Sequence, residues 1–251
     1  MVAQIYQTAA SANLNGYLSA WASVDPLSAY GEFSPTTSPY DQWAGGDEGG
    51  ARLTNSVLLE GDFTYGIGGD FVGTVDTLTF GSGLSGSAST GFSVDTAQLT
   101  IDLGGASAIT SFDYAIYGLM GTAGTASPNF LYAYFAAVGT EQYGTAGSDT
   151  QYSYAGNDTF TGYSGNDTFV FDDNWATDLA TDFGSVSGNL DVLDFTAVST
   201  ISDVTDLIFN YSNWYDSTSP LTISDGTNTL VLAGYVGSDI FTLESNNQLL
   251  A

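Results

Sequence analysis

The tetrapeptide pattern Gly-x-Asp-Thr occurs three times at intervals of nine residues: Gly147-Ser148-Asp149-Thr150, Gly156-Asn157-Asp158-Thr159 and Gly165-Asn166-Asp167-Thr168. A nonapeptide unit with glycine at its fourth position, aspartate at its sixth and a large apolar residue at its eighth is typical of a roll of short parallel strands. The eighth positions here are Gln151, Phe160 and Phe169, so only the first copy lacks an apolar residue there. The spacing therefore predicts one tight turn and one short strand per copy, with the phenylalanines pointing into the roll.

Each copy also contains the residue types that surround a hard cation. Glycine permits a left-handed backbone, so that carbonyl oxygens and an aspartate carboxylate converge on a calcium ion, which takes about six to eight oxygens. The predicted calcium ligands are the glycine, asparagine and aspartate residues of the copies: Gly147, Asp149, Gly156, Asn157, Asp158, Gly165, Asn166 and Asp167. The alternative is a series of turns rich in Asn, Asp and Gly that holds no metal.

The net charge favours a bound cation. The sequence has 28 Asp and Glu residues, one Lys or Arg and no His, which gives a formal net charge of −27. Unbalanced charge of this size opposes compaction, and divalent cations can relieve it where basic side chains are missing. The same composition excludes nucleic acid as a partner, because phosphates must be neutralised by Lys and Arg. We also expect no membrane insertion, since no run of about 18 apolar residues occurs.

The composition also argues against catalysis. Without His, Cys or Lys, the chain cannot build a Ser-His-Asp, Cys-His or Schiff-base apparatus. The carboxylate pairs Asp172-Asp173 and Asp47-Glu48 are more typical of calcium ligands or solvated turns than of acid–base catalysis. We therefore expect a non-enzymatic protein whose stability comes from its core and from bound ions.

The first half of the chain has a different pattern. Apolar residues at helical spacing predict a helix over residues 13–22, and Ser127, Pro128 and Gly139 delimit a second one. Residues 70–80 and 92–103 alternate as antiparallel strands do, with a glycine-rich segment at 81–91 between them. The predicted fold class is α+β for a domain of residues 1–143, followed by a β-rich calcium β-roll in residues 144–251. Further strands are predicted at 207–211, 221–224, 229–233 and 240–243.

The repeat segment and its flank resemble the RTX family of calcium-binding β-rolls. The flanking sequences are Leu179-Ala180-Thr181-Asp182-Phe183 and Asp191-Val192-Leu193-Asp194-Phe195. The resemblance implies Asp182, Asp191 and Asp194 as further calcium ligands. It implies that the last predicted strands form a C-terminal β-cap that carries an uncleaved signal for type I secretion. The amino terminus agrees with this, because it does not have the pattern of a signal peptide. The expected location is extracellular, where calcium is plentiful.

Four segments within about residues 13–139 resemble the HasA-type haemophores: residues 17–23, 61–65, 78–86 and 117–120. The resemblance implies a curved antiparallel sheet packed on helices, with haem held between two loops and an outer-membrane receptor as partner. Tyr65 matches the family's ligand tyrosine, and Tyr30 stands where the family usually has a histidine. The histidine that usually supports the ligand tyrosine is absent. Tyr65 and Tyr30 as ordinary aromatic loop residues are an equally open alternative.

Two functions follow from these features. The first is a secreted, calcium-binding structural protein that self-associates into a fibre or matrix, because its strand edges have almost no lysine to prevent pairing with another chain. The alternative is a haem-scavenging haemophore that binds ferric haem through Tyr65. The expected cofactors are accordingly calcium in both cases and haem in the second.

Overall fold

The computed structural model describes residues 2–23, 31–46, 55–66, 68–121, 126–184 and 188–251. The chain divides into two compact units. Unit 1 consists of residues 1–11 and 16–137, and unit 2 consists of residues 12–15 and 138–251. The predicted boundary after residue 143 lies at the C-terminal end of the strand Thr140–Tyr143, which belongs to unit 2. Within the described residues, no helix is long and apolar enough to cross a membrane.

Unit 1 is built on an antiparallel sheet. Its strands are β1 (Ala3–Gln7), β2 (Glu32–Ser34), β3 (Tyr40–Gly46), β4 (Ser56–Tyr65), β5 (Phe71–Ser87) and β6 (Gly91–Ser107). They lie in the order β1-β6-β5-β4-β3-β2. The helices are α1 (Leu14–Ser23), α2 (Thr110–Met120) and α3 (Asn129–Val138). Apolar residues of β6 alternate inward, three successive apolar residues of β4 are buried, and Phe112, Ile116 and Leu119 of α2 are fully buried. These elements agree with the predicted mixture of sheet and helix.

The glycine-rich segment 81–91 does not separate the two strands as predicted. β5 and β6 continue through it and pair as far as Ser87 and Gly91, so that only residues 88–90 form the turn. A Cβ atom at Gly81 would collide with the Thr96 carbonyl, and one at Gly86 would collide with the Gly91 carbonyl. The glycines therefore permit close approach of the two backbones, and Gly81 does so at a register shift of the sheet. Glycine clusters thus occur in strands as well as in loops.

Unit 2 contains two stacks of short strands. Its strands are β7 (Thr140–Tyr143), β8 (Thr150–Tyr152), β9 (Asp158–Thr161), β10 (Thr168–Val170), β11 (Thr177–Ala180), β12 (Val192–Asp194), β13 (Pro220–Ser224), β14 (Thr229–Val236) and β15 (Leu249–Leu250). One stack has the order β13-β14-β11-β9-β7 and the other has the order β15-β12-β10-β8. Neighbours are parallel except for β13 and β14. From β7 to β12 the chain alternates between the two stacks.

The strand register explains the nine-residue period. Thr140 pairs with Asp158 in one stack, and Thr150 pairs with Thr168 in the other, so that two copies complete one turn of the chain. The eighth positions of the copies face the interior. Phe160 and Phe169 are fully buried, with ring centroids 5.6 Å apart. The repeat thus places one aromatic ring from each stack into a shared core.

Two of the predicted cap strands are wrong. Residues 207–211 form a π-helical turn (Leu207–Tyr211) that continues α4 (Val204–Asp206), and residues 240–243 belong to α5 (Ile240–Ser245). The Asp203 carboxylate caps α4 by accepting a hydrogen bond from the Asp206 amide at 2.8 Å. Short apolar runs do not distinguish a buried strand from a buried helix, so the capping aspartate was the better signal.

We expect Phe171→Ala to lower the free energy of unfolding of unit 2 by about 3–5 kcal/mol, as truncation of a fully buried phenylalanine does. The Phe171 ring is fully buried and stacks on Phe195 with centroids 4.6 Å apart. Guanidinium unfolding in the presence of calcium measures the change. Tyr163→Ala removes a ring that is 50% exposed and is the control, for which we expect no more than about 0.5 kcal/mol.

Candidate functional site

Aspartate side chains tie successive turns of unit 2 together. The Asp167 Oδ1 atom accepts a hydrogen bond from the Asp149 amide at 2.8 Å, and the Asp191 Oδ1 atom accepts one from the Asp167 amide at 3.0 Å. Each carboxylate therefore caps the strand of the turn before it. Asp149, Asp167 and Asp191 form what we call the first aspartate ladder.

A second ladder runs along the other stack. The Asp158 Oδ1 atom accepts from the Thr140 amide at 2.7 Å, and the Asp178 Oδ1 atom accepts from the Asp158 amide at 2.8 Å. Asp178 was not among the predicted ligands, because the nine-residue spacing is lost after the third copy. Its signal in the sequence is the apolar strand Leu179-Ala180 that follows it, as Phe160 follows Asp158.

The carboxylates of both ladders are shielded from water. Their relative exposures are between 1% and 3% for Asp149, Asp158, Asp167, Asp178 and Asp191. Two of their oxygens, Oδ1 of Asp149 and Oδ2 of Asp167, are buried without a hydrogen-bond partner. A buried carboxylate oxygen without a partner costs free energy, which a bound proton or a cation can offset.

Burial changes the protonation of these groups. Desolvation raises the pKa of Asp178 to about 8, and the nearby charge of Asp158 adds to this effect. Desolvation likewise raises the pKa of Asp158 and of Asp167 to about 7. For Asp167 the charges of three other aspartates raise the pKa further, namely Asp191, Asp149 and Asp182. The carboxylates of the first ladder are thus close enough to repel one another.

The remaining predicted ligands occupy turns. Gly147, Gly156 and Gly165 lie at bends between strands, and Gly165 has the left-handed φ of 122°. The two predicted asparagines bond to the next turn: the Asn157 Oδ1 atom accepts from the Thr177 amide at 3.2 Å, and the Asn166 Oδ1 atom accepts from the Leu190 amide at 2.9 Å. The asparagines therefore act as connections between turns.

Asp182 and Asp194 differ from the ladder residues. The two Asp182 carboxylate oxygens accept from the Gly162 and Tyr163 amides at 2.9 and 2.8 Å. The Asp194 Oδ1 atom accepts from the amide and hydroxyl of Thr196 at 2.9 and 2.6 Å. Among the described residues, no group of three His, Cys, Asp or Glu side chains could hold a metal ion by itself. A cation in unit 2 would therefore need backbone carbonyls in addition to carboxylates.

Tyr65 lies at the end of β4 in unit 1, within an aromatic cluster. Its ring centroid is 5.0 Å from that of Phe33 and 5.1 Å from that of Phe71. Its hydroxyl is 3.4 Å from the Tyr117 hydroxyl. Tyr117 donates its own proton to the Gly69 carbonyl, so that Tyr65 can donate to the Tyr117 oxygen. Tyr30, the other predicted haem residue, lies outside the described residues, as do Asp47, Glu48 and Arg52.

The polar surroundings of the Tyr65–Tyr117 pair include buried acid. Asp113 of α2 accepts a hydrogen bond from the Phe71 amide at 3.0 Å, and desolvation raises its pKa. Desolvation also raises the pKa of Tyr117, with added contributions from Tyr65, Asp113 and Asp70. Tyr117 is therefore a neutral phenol at neutral pH. Residues 117–120 resemble a haemophore segment, but the sequence alone assigns no role to Tyr117.

No protein-family model and no curated protein matches this chain. Solved structures that resemble it include the apo hemophore HasA from Yersinia pestis, with a TM-score of 0.46 and 20% identity over 57% of this chain and 97% of that chain. The holo hemophore HasA from the same organism gives a TM-score of 0.45 and 20% identity over 57% of this chain and 99% of that chain. A HasA mutant from Yersinia pseudotuberculosis gives a TM-score of 0.43 and 21% identity over the same shares of the two chains. The structural neighbours of this chain are thus HasA hemophores over 57% of its length.

Proposed function

We propose that this chain is an extracellular, non-enzymatic protein in which unit 2 is a calcium-binding β-roll. The observation that carries the proposal is the pair of buried oxygens without a partner, Oδ1 of Asp149 and Oδ2 of Asp167. They belong to residues on consecutive turns of one ladder, in a chain with 28 acidic residues and one basic one. Calcium is the cation of choice for such a set, because it is hard and accepts carboxylate and carbonyl oxygens in flexible geometry.

The residues that would hold calcium are those of the two ladders together with carbonyl oxygens of the intervening turns. Asp149, Asp167 and Asp191 supply carboxylates along one side, and Asp158 and Asp178 supply them along the other. The turns at Gly147, Gly156 and Gly165 supply carbonyls. Bound calcium would neutralise carboxylates that otherwise repel one another inside the protein. Asp182 and Asp194 stay predicted ligands on the strength of the RTX resemblance.

An extracellular location fits this requirement. A fold that depends on calcium forms only where the ion is abundant, and the cytoplasm keeps it scarce. The route of export is type I secretion, with its signal in the C-terminal region of unit 2. That assignment rests on the flanking sequences after the repeats.

Removing calcium at pH 8.5 should destabilise unit 2 enough to expose its backbone amides. We expect amide hydrogens of residues 144–251 to exchange slowly with solvent in millimolar calcium and rapidly after chelation, because the buried carboxylates then lose their counter-charge. Hydrogen exchange read by mass spectrometry makes the measurement. Asp167→Ala should reduce the calcium effect, whereas Asp172→Asn at an exposed position should not. Equal protection in calcium and in chelator would contradict the calcium proposal.

The pH dependence of stability should reverse sign with calcium. Without divalent cations, Asp158, Asp167 and Asp178 have pKa values of about 7 to 8 in the folded unit, compared with 3.8 in an unfolded chain. Between these values the folded unit holds protons that the unfolded chain releases. Stability contributed by these groups is therefore lost as the pH rises through 7 and 8. We expect a lower melting temperature at pH 8.5 than at pH 5.5 in chelator, and the opposite in calcium.

Asp178→Asn tests the origin of that pH dependence. The amide keeps an oxygen for the Asp158 N–H and gains a donor for the Ser153 hydroxyl, which lies 2.7 Å from the Asp178 Oδ2 atom. Its melting temperature in chelator should depend less on pH than that of the parent protein. Asp172→Asn is the control with the same change of charge, and an equal flattening in both variants would attribute the effect to net charge.

Haem capture by unit 1 is a second candidate function, and the Tyr65–Tyr117 pair favours it. A tyrosine can ligate haem iron alone, and ferric iron lowers the pKa of a phenol that binds it. The Tyr117 oxygen lies 3.4 Å from the Tyr65 hydroxyl and can accept its hydrogen bond, where the family usually has a histidine. Unit 1 thus has a hydrogen-bonded tyrosine within an aromatic cluster. Self-association, by contrast, rests on the sequence argument about strand edges.

Titration with haemin tests haem capture. The parent protein should develop the absorbance band of a ferric tyrosinate, and Tyr65→Phe should abolish it because the ligand oxygen is lost. Tyr114→Phe, at a position on α2 that is 51% exposed, should keep the band. A parent protein without the band, sedimenting as large particles that chelation disperses, would favour self-association instead.

A further inference from the structure

We infer that unit 2 carries a docking surface for a basic protein partner, built on four aromatic side chains that we call the aromatic patch. Its members are Phe209, Trp214, Tyr215 and Phe241. The Trp214 ring contacts the other three, with centroid separations of 5.4 Å to Phe209, 5.8 Å to Tyr215 and 6.2 Å to Phe241. The four rings therefore form one continuous apolar surface.

The patch is exposed to an unusual extent for aromatic residues. Tyr215 is 77% exposed, Phe209 51% and Phe241 40%. The phenylalanines of the unit 2 core, such as Phe160 and Phe195, are fully buried. Contiguous exposed apolar surface marks interaction sites, and tryptophan and tyrosine are enriched among the residues that dominate binding energy.

A fixed turn presents the patch. The Asp216 amide donates to the Asn213 carbonyl at 2.9 Å, and the Ser238 amide donates to the Asp216 carbonyl at 3.0 Å. The Asn213 side chain also bonds to the Pro220 carbonyl and the Thr222 amide, at 2.9 Å in each case. Trp214 and Tyr215 are thus held in place before a partner arrives, which reduces the entropy lost on binding.

Three carboxylates, which we call the acidic rim, lie close in sequence to the aromatic patch. Asp206 precedes Phe209 by three residues along one helical segment, Glu244 follows Phe241 by three residues in α5, and Asp216 follows Tyr215 directly. Residues three apart in an α-helix are neighbours on its surface, which places Glu244 beside Phe241. Asp206 and Asp216 accept hydrogen bonds from nearby amides and hydroxyls, which hold the pKa of each carboxyl below its usual value. Asp206 and Asp216 therefore stay charged at neutral pH.

Charge complementarity selects the partner. Aromatic faces attract Lys and Arg side chains, and an acidic rim attracts them further. A second copy of this chain is disfavoured, since its sequence holds one Lys or Arg and two rims would face each other. Stacking of a sugar is also disfavoured, because the rings that contact Trp214 lie at 75° to 85° to it and offer no shared flat platform. The surface fits a protein that presents Arg or Lys beside apolar side chains.

A synthetic peptide of alternating Arg and Leu is the probe, titrated into the full chain in calcium at physiological salt. We expect Tyr215→Ala to weaken binding at least about fivefold, which is the loss typical of an interface anchor. Tyr163→Ala removes an equally large ring that is 50% exposed outside the patch, and should leave the affinity unchanged. Glu244→Gln should weaken binding and reduce its dependence on salt more than the exposed Asp76→Asn in unit 1.

Several results would overturn the inference. Equal losses in Tyr215→Ala and Tyr163→Ala, or in Glu244→Gln and Asp76→Asn, would mean that the peptide responds to net charge alone. Equal binding of an alternating Glu and Leu peptide would remove the need for a cation. Tyr215-dependent binding to phosphatidylcholine vesicles, or dimerisation lost in Tyr215→Ala, would replace a basic protein by a membrane or a second copy.

Discussion

The burial of unpaired carboxylates is the constraint on which unit 2 depends. Five aspartates lie on two ladders with 1–3% exposure, and the only Lys or Arg of the chain, Arg52, lies far away in sequence. Such groups are usually paired with a basic side chain or are excluded from protein interiors. Here four of the five accept a backbone hydrogen bond from the preceding turn, and Asp149 accepts one from the Thr145 amide. These bonds fix strand ends but leave the negative charge uncompensated. These carboxylates therefore favour a neutralising species, which is a proton at low pH and, in our proposal, a calcium ion near neutral pH.

Each repeat has two structural roles, and a different position of the sequence pattern fills each of them. The aspartate at the sixth position caps a strand of the previous turn, and the phenylalanine two residues later fills the core between the stacks. Because both tasks recur with the same period, the nine-residue spacing predicted short strands and inward phenylalanines correctly. Asp178 escaped prediction because the chain inserts residues such as Asp172 and Asp173 after the third copy, which shifts the period. The pairing of Asp178 with the Asp158 amide restores the ladder in three dimensions.

Elsewhere the sequence was less informative, for reasons that differ between the units. In unit 1, the glycines within residues 81–91 allow the backbones of two long strands to approach closely. This requirement comes from the partner strand, so the local sequence does not reveal it. In unit 2, residues 207–211 and 240–243 are short apolar runs that fit a strand or a helix equally well. The Tyr65 position was predictable only through resemblance. Its hydrogen bond to Tyr117 joins residues far apart in sequence, and the pairing emerges only when β4 and α2 come together.

The first copy of the repeat shows how the core of unit 2 ends. Where the later copies have phenylalanine, it has Gln151, which is fully buried and whose Nε2 atom donates to the Thr161 carbonyl at 3.3 Å. Gln142 on the neighbouring stack is buried too, and its amide bonds to both the carbonyl and the N–H of Tyr152 at 2.7 and 3.2 Å. These bonds tie β8 of one stack to β7 and β9 of the other, a link that the parallel ladders within each stack do not provide. Phenylalanine could not make this link, so the copy without an apolar eighth residue lies where side-chain hydrogen bonds replace aromatic packing.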